Sequence, residues 1–185
     1  KIQVEAIYKI ILKEKIKNIV LIIFSLSTVY LPMMEKISFF KKNINKIIFI
    51  DPSLFLNDLV WSKKINSMNK KEYFTYINFY KKNINFIFHS SLLTNKNYNN
   101  ICKNLKMFDN LVLYKFNKEC IKILKSKKVL SSFKKTIKYF IFPKLKKNLK
   151  KLKKATNVFL IGKSGHYVFL DQPKKTYSLI NKYAE

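Results

Sequence analysis

The chain has 185 residues, 48% of them hydrophobic, enough to bury one good core, so a single domain spanning 1–185 is expected. Its 38 basic and 10 acidic residues leave a net charge of +28, which invites an anionic partner. Every basic residue is lysine, however, and without the bidentate guanidinium fork that phosphate and base readers lean on, nucleic acid is disfavoured.

Residues 2–16 place Ile2, Ala6, Ile10 and Ile16 at helical spacing among lysine and glutamate, and Asn18 is expected to end that helix. Residues 19–24 predict a strand buried on both faces, as in a parallel sheet. The uncharged run 19–34 is shorter than the ~20 residues of a membrane span. It also holds Ser25, Ser27, Thr28 and Pro32, so a strand followed by a helix over 26–42 fits better. Residues 46–51 form a second buried strand closed by Pro52. Helix, strand, helix, strand with short connections predicts an α/β fold, a mostly parallel sheet with crossover helices.

The interval 53–138 is rich in Lys, Asn and Tyr, with apolar pieces at 85–88 and 110–116. It is expected to be a cap or insertion: helical, further strands, or low-complexity. A strand is predicted at 138–142, and a very basic helical stretch at 144–154 with Leu145, Leu149 and Leu152 on one side. That stretch reads as a solvated amphipathic helix, with contact to an anionic membrane surface as its functional alternative. The last strand is predicted at 157–161, and Pro173 opens the last helix, where proline is tolerated in the first turn.

Between these last two elements lies the most informative stretch. Both glycines of the chain, Gly162 and Gly165, fall within the five residues ending at His166, one of only two histidines. A strand, a tight loop and a helix would hold a titratable imidazole suited to proton transfer near neutral pH. Cys102 and Cys120 show neither metal-ligand spacing nor a disulfide framework, so no metal is expected and a reducing, intracellular compartment is favoured. No secretory leader is visible, and a first residue other than methionine suggests part of a longer chain. Abundant Lys, Asn, Ile, Phe and Tyr with two glycines matches the output of an AT-rich genome, which makes most of the lysines solvated surface.

The order of parts resembles the α/β-hydrolase superfamily. There a strand enters a sharp G-x-S-x-G turn carrying a nucleophilic serine, a helix follows, and the next strand often ends Ile/Val-Asp-Pro. Val20-Leu21-Ile22-Ile23-Phe24-Ser25-Leu26-Ser27 stands where that turn would be, with Ser25 at the nucleophile position, followed by Ile47-Ile48-Phe49-Ile50-Asp51-Pro52. Ser164-Gly165-His166-Tyr167-Val168-Phe169-Leu170-Asp171-Gln172-Pro173 resembles the histidine loop, most like that of the lysophospholipase and acyltransferase-like branch.

The resemblance covers roughly 1–52 and 138–185 and implies the later part of a hydrolase domain. It implies a serine hydrolase acting on carboxylic or lipid acyl esters through an acyl-enzyme, with Ser25 as nucleophile, His166 as base and no cofactor. The elbow glycines are replaced by Ile23 and Ser27, and β-branched Ile23 is expected to crowd the turn. The family's acid follows the penultimate strand, where Pro143-Lys144-Leu145-Lys146 offers no carboxylate; Asp51, Asp109 or Glu119 could serve only by relocation. The loop that normally supplies one oxyanion donor ahead of the elbow has no counterpart in the matched residues. An inactive pseudohydrolase serving as a binding module is therefore the alternative, and a basic nucleic-acid or membrane binder a weaker one. Asp171 reads as a cap of the last helix or a carboxylate orienting the imidazole, Asp51 as a strand-end turn residue, and His89 as structural.

Overall fold

The structure, a computed structural model, describes residues 2–55, 65–83, 103–104, 106–126, 128–143 and 157–185. Four strands, β1 (Ile19–Phe24), β2 (Ile44–Ile50), β3 (Ile137–Phe142) and β4 (Asn157–Leu160), form one sheet in the order β1-β2-β3-β4. All three pairings are parallel. The strands are built largely from β-branched and aromatic residues, which pack well on a pleated surface. In register, Phe24 lies opposite Ile50, Ile50 opposite Ile141 and Ile141 opposite Phe159. The ladder runs one step further: Asp51 N–H donates to the Ile141 carbonyl at 2.8 Å, and Ile161 N–H to that of Phe142 at 2.9 Å.

Helices α1 (Ile2–Lys13), α2 (Leu31–Met34), α3 (Ser38–Asn43), α4 (Lys70–Lys82), α5 (Asn110–Lys125), α6 (Lys128–Ser131), α7 (Val168–Asp171) and α8 (Pro173–Ala184) accompany the sheet. Alternation along the strands divides the core into two layers. On one face Ile23, Ile47, Phe49, Phe140 and Phe142 pack with Val4, Leu31, Met34, Phe40, Cys120, Leu124 and Val129, from α1, α2, α3, α5 and α6. Phe49 and Phe140, opposite each other in register, stack at 4.6 Å. On the other face Ile48, Ile50 and Ile141 meet Ile161, Val168 and Ile180, and Tyr183 of α8 stacks on Tyr139 at 4.4 Å and Phe159 at 4.8 Å.

Three expectations change. The segment after β1 is not one helix: a 3-10 turn (Ser25–Tyr30), α2 and α3 succeed one another. Pro32 in the first turn of α2 has no N–H to bond backward, and Ile37 ahead of α3 is extended (φ −91, ψ 115). The first helix stops at Lys13, and Lys15 and Asn18, both at positive φ, turn the chain into β1. Strand β1 is not buried on both faces. It ends the described sheet, α8 packs over β2, β3 and β4, and Ile22 stays 49% exposed.

Within 53–138 the described elements ahead of β3 are helical, and α5 sends Cys120, Ile121 and Leu124 into buried positions. Residues 85–88 and 144–154 lie outside the described residues. Among the described residues no helix is long and apolar enough to cross a membrane.

Candidate active site

A parallel sheet delivers every strand's carboxyl end to one edge, and ligands of open α/β sheets bind outside that edge. Ser25 follows β1, Asp51 follows β2, and the loop to His166 follows β4. Topology alone thus brings together residues spread over most of the chain.

Ser25 occupies the left-handed region at φ 51, directly after an extended Phe24 (φ −108, ψ 135) and at the first position of the 3-10 turn. A non-glycine residue there stores strain of the order of 1–2 kcal/mol. The turn is tied to the next strand end: Ser53 N–H donates to the Ser25 carbonyl at 3.0 Å, and the buried Thr28 hydroxyl donates to the Ser53 carbonyl at 2.7 Å. Ile23 does not crowd the turn. Its side chain points into the core beside Phe40 and Phe49, and Ser27, at the other glycine position, is exposed.

Asp51 is a second left-handed residue, at φ 37, and its side chain is 6% exposed. Its Oδ2 lies 2.5 Å from Nδ1 of His166, across 115 positions of sequence. A carboxylate only accepts, so Nδ1 donates, an arrangement that in the neutral imidazole leaves the lone pair on Nε2. The imidazole, 22% exposed, lies against Phe24 at 4.8 Å between ring centroids, and Phe24 directly precedes Ser25. Tyr167 and Phe169 pack on the same Phe24 ring at 5.3 and 5.1 Å, which completes an aromatic collar.

Of the three carboxylates that could serve by relocation, Asp51 is the one that meets the His166 ring. Asp51 is a strand-end turn residue, as read, and it is also the partner of His166. Asp109 accepts from Val112 N–H at 2.9 Å and caps α5; Glu119 sits beside Cys120. Burial, and then the Glu119 charge, push the Cys120 thiol up to about 12, which leaves it a buried apolar group. His89 and Cys102 lie outside the described residues, and among the described residues no cluster of His, Cys, Asp and Glu could hold a metal ion. The signal for Asp51 was present in the sequence: an Asp-Pro closing the strand next in line after a serine turn.

Asp171 meets neither expectation. The cap position of α8 is Gln172, with no side-chain capping bond, and the imidazole faces Asp51. Asp171 Oδ2 accepts instead from Gly165 N–H at 2.7 Å. Nor do the glycines supply the turn's positive φ, which falls on Lys163 at φ 57.

No family model matches the sequence, and no curated protein matches it. Among solved structures the chain resembles a histidine-to-alanine variant of tomato methylketone synthase I bound to β-ketoheptanoate, with a TM-score of 0.55 at 11% identity. That match covers 91% of this chain and 70% of the tomato protein. A second, to E-2-(acetamidomethylene)succinate hydrolase, has a TM-score of 0.45 at 10% identity and covers 97% of this chain and 71% of the other. The chain has the α/β-hydrolase fold.

Proposed function

We propose that this protein is a serine hydrolase of carboxylic or lipid acyl esters, with Ser25 as nucleophile, His166 as general base and Asp51 as the orienting acid. One observation carries the reading: a nearly buried carboxylate within hydrogen-bond reach of Nδ1 of the histidine that lies against the residue preceding the strained serine. Fold likeness at 11% identity says nothing of substrate, so the chemistry rests on these residues.

In this reading Ser25 Oγ attacks the ester carbonyl carbon while its proton passes to Nε2 of His166. Asp51 stabilises the imidazolium that forms. The amide that follows the nucleophile, here the Leu26 N–H, would be one donor to the developing oxyanion. Collapse of the tetrahedral intermediate breaks the bond to the alkoxy oxygen, which leaves as the alcohol with the proton from His166. Water, deprotonated by the same Nε2, then releases the carboxylic acid and restores Ser25. The collar of Phe24, Tyr167 and Phe169 offers an apolar flank for an acyl chain.

A fluorophosphonate probe applied to the full chain tests this. Labelling of the native protein that disappears in Ser25→Ala supports the enzyme. A native protein that never labels sinks it and favours the pseudohydrolase.

A further inference from the structure

The loop that presents His166 begins after β4 and ends in α7, and besides the bond from its ring to Asp51, side-chain groups bond its backbone. Ser164 Oγ–H donates to the Ile161 carbonyl at 2.6 Å, and Gln172 Nε2–H to the Lys163 carbonyl at 3.1 Å. Both act on the loop's approach. A further bond lies one peptide ahead of the histidine: Gly165 N–H donates to Asp171 Oδ2 at 2.7 Å, reaching six positions along the chain.

Asp171 is itself held firmly. Its N–H bonds the Tyr167 carbonyl at 3.1 Å, closing the single turn of α7. Val168, at the start of that turn, is wholly buried, and its carbonyl accepts from Gln172 N–H at 2.9 Å and from the buried Thr176 hydroxyl of α8 at 3.2 Å. A continuous path therefore runs from the core through Thr176, Val168 and Asp171 to Gly165 and His166. The other carboxylate oxygen, Oδ1, is buried and has no hydrogen-bond partner. An aspartate placed there only to close a turn would keep that oxygen in water, because burying it costs free energy that one ordinary bond does not return. A charge-assisted bond to an amide is about twice as strong as a neutral one.

From this geometry we infer that Asp171 is the positioning residue of the histidine loop, fixing the Ser164–Gly165 peptide just ahead of His166 so that Nδ1 of His166 faces Asp51. His166 is thereby held by two carboxylates, one on its ring and one on the backbone before it. The inference concerns the same site as the proposed esterase, but its readout needs no turnover, so it stands or falls apart from acylation of Ser25.

The test uses the imidazole itself. Long-range proton–nitrogen spectra of the full chain resolve two histidines, and His89→Gln identifies the signal of His166. The wild type is expected to hold the Nδ1–H tautomer with a slowly exchanging Nδ1 proton, and Asp51→Asn to lose that proton signal. Asp171→Ala is expected to speed its exchange about tenfold or more, the scale of one charged hydrogen bond, and to admit the Nε2–H tautomer, with the thermal unfolding transition still cooperative. Asp171→Asn, which keeps an oxygen for Gly165, is expected to restore the wild-type tautomer. An Asp171→Ala protein that folds and keeps both tautomer and exchange rate overturns the inference. Should it not fold, the wild type decides alone: a Gly165 amide exchanging as fast as an unbonded loop amide overturns it, and one protected together with the His166 Nδ1 proton supports it.

Discussion

Asp51→Asn is the substitution that separates the proposed triad from an incidental contact. Asp51 sits at φ 37, a region where asparagine is among the few side chains at ease, so this change leaves the strand end undisturbed. Alanine at the same place would add backbone strain to the loss of the carboxylate. What Asn removes is the charge 2.5 Å from Nδ1. Unit charges with centres ~4 Å apart, at the effective dielectric of ~20 that suits partly buried pairs, attract by about 4 kcal/mol. That attraction exists only once His166 has taken the serine proton, so it acts on the transition state and corresponds to roughly a thousandfold in rate. The amide can also donate to Nδ1 and trap the wrong tautomer, which in serine proteases brings the loss to about ten thousandfold. The assay is the second-order rate of fluorophosphonate labelling, with Ser25→Ala as the blank and circular dichroism as the control of fold. Labelling of Asp51→Asn within about tenfold of wild type would refute the acid assignment, because no charge pair at this distance is worth so little here.

Two further predictions concern stability. A Cβ on Gly162 would meet nothing within 4 Å, and Gly162 is not at positive φ, so Gly162→Ala is expected to raise stability by about 0.4–1 kcal/mol through the unfolded chain; a lower midpoint in urea would contradict this. Cys120 has its pKa raised from 9.0 to about 12, so the native state keeps a proton that the unfolded chain loses between those values. The stability of wild type relative to Cys120→Ala should be constant below 9 and fall as pH rises towards 12; a difference that grows over that interval would refute the assignment.

The sheet was legible because its strands are short apolar runs closed by recognisable breakers. Expected ranges of 19–24, 46–51, 138–142 and 157–161 stand beside observed strands Ile19–Phe24, Ile44–Ile50, Ile137–Phe142 and Asn157–Leu160. The segment 26–42 was less so, because Pro32 and Ile37 interrupt a hydrophobic pattern that still reads as helical. The carboxylates were hardest. Whether Asp51 or Asp171 faces His166 depends on how far a loop after β4 reaches back across β3 to β2, a property of register and reach with no local periodicity. Asp171, five residues from His166, was the nearer candidate in sequence, yet it bonds the backbone, and Asp51, 115 positions away, meets the ring.

The elbow shows how this serine turn forms without its usual glycines. Glycine is required where a Cβ would strike the neighbouring strand or helix, or where φ is positive. Here the positive φ falls on Ser25 itself, Ser27 looks outward, and a 3-10 turn carries the chain away from β1 in place of an α-helix lying close against it. The strain at Ser25 and that at Asp51 sit on neighbouring strand ends, and Ser53 links them: it follows Asp51 by two residues and bonds the Ser25 carbonyl, while Thr28 bonds Ser53 in turn. Two strained non-glycine residues held side by side by a buried network are what the proposed catalytic site requires.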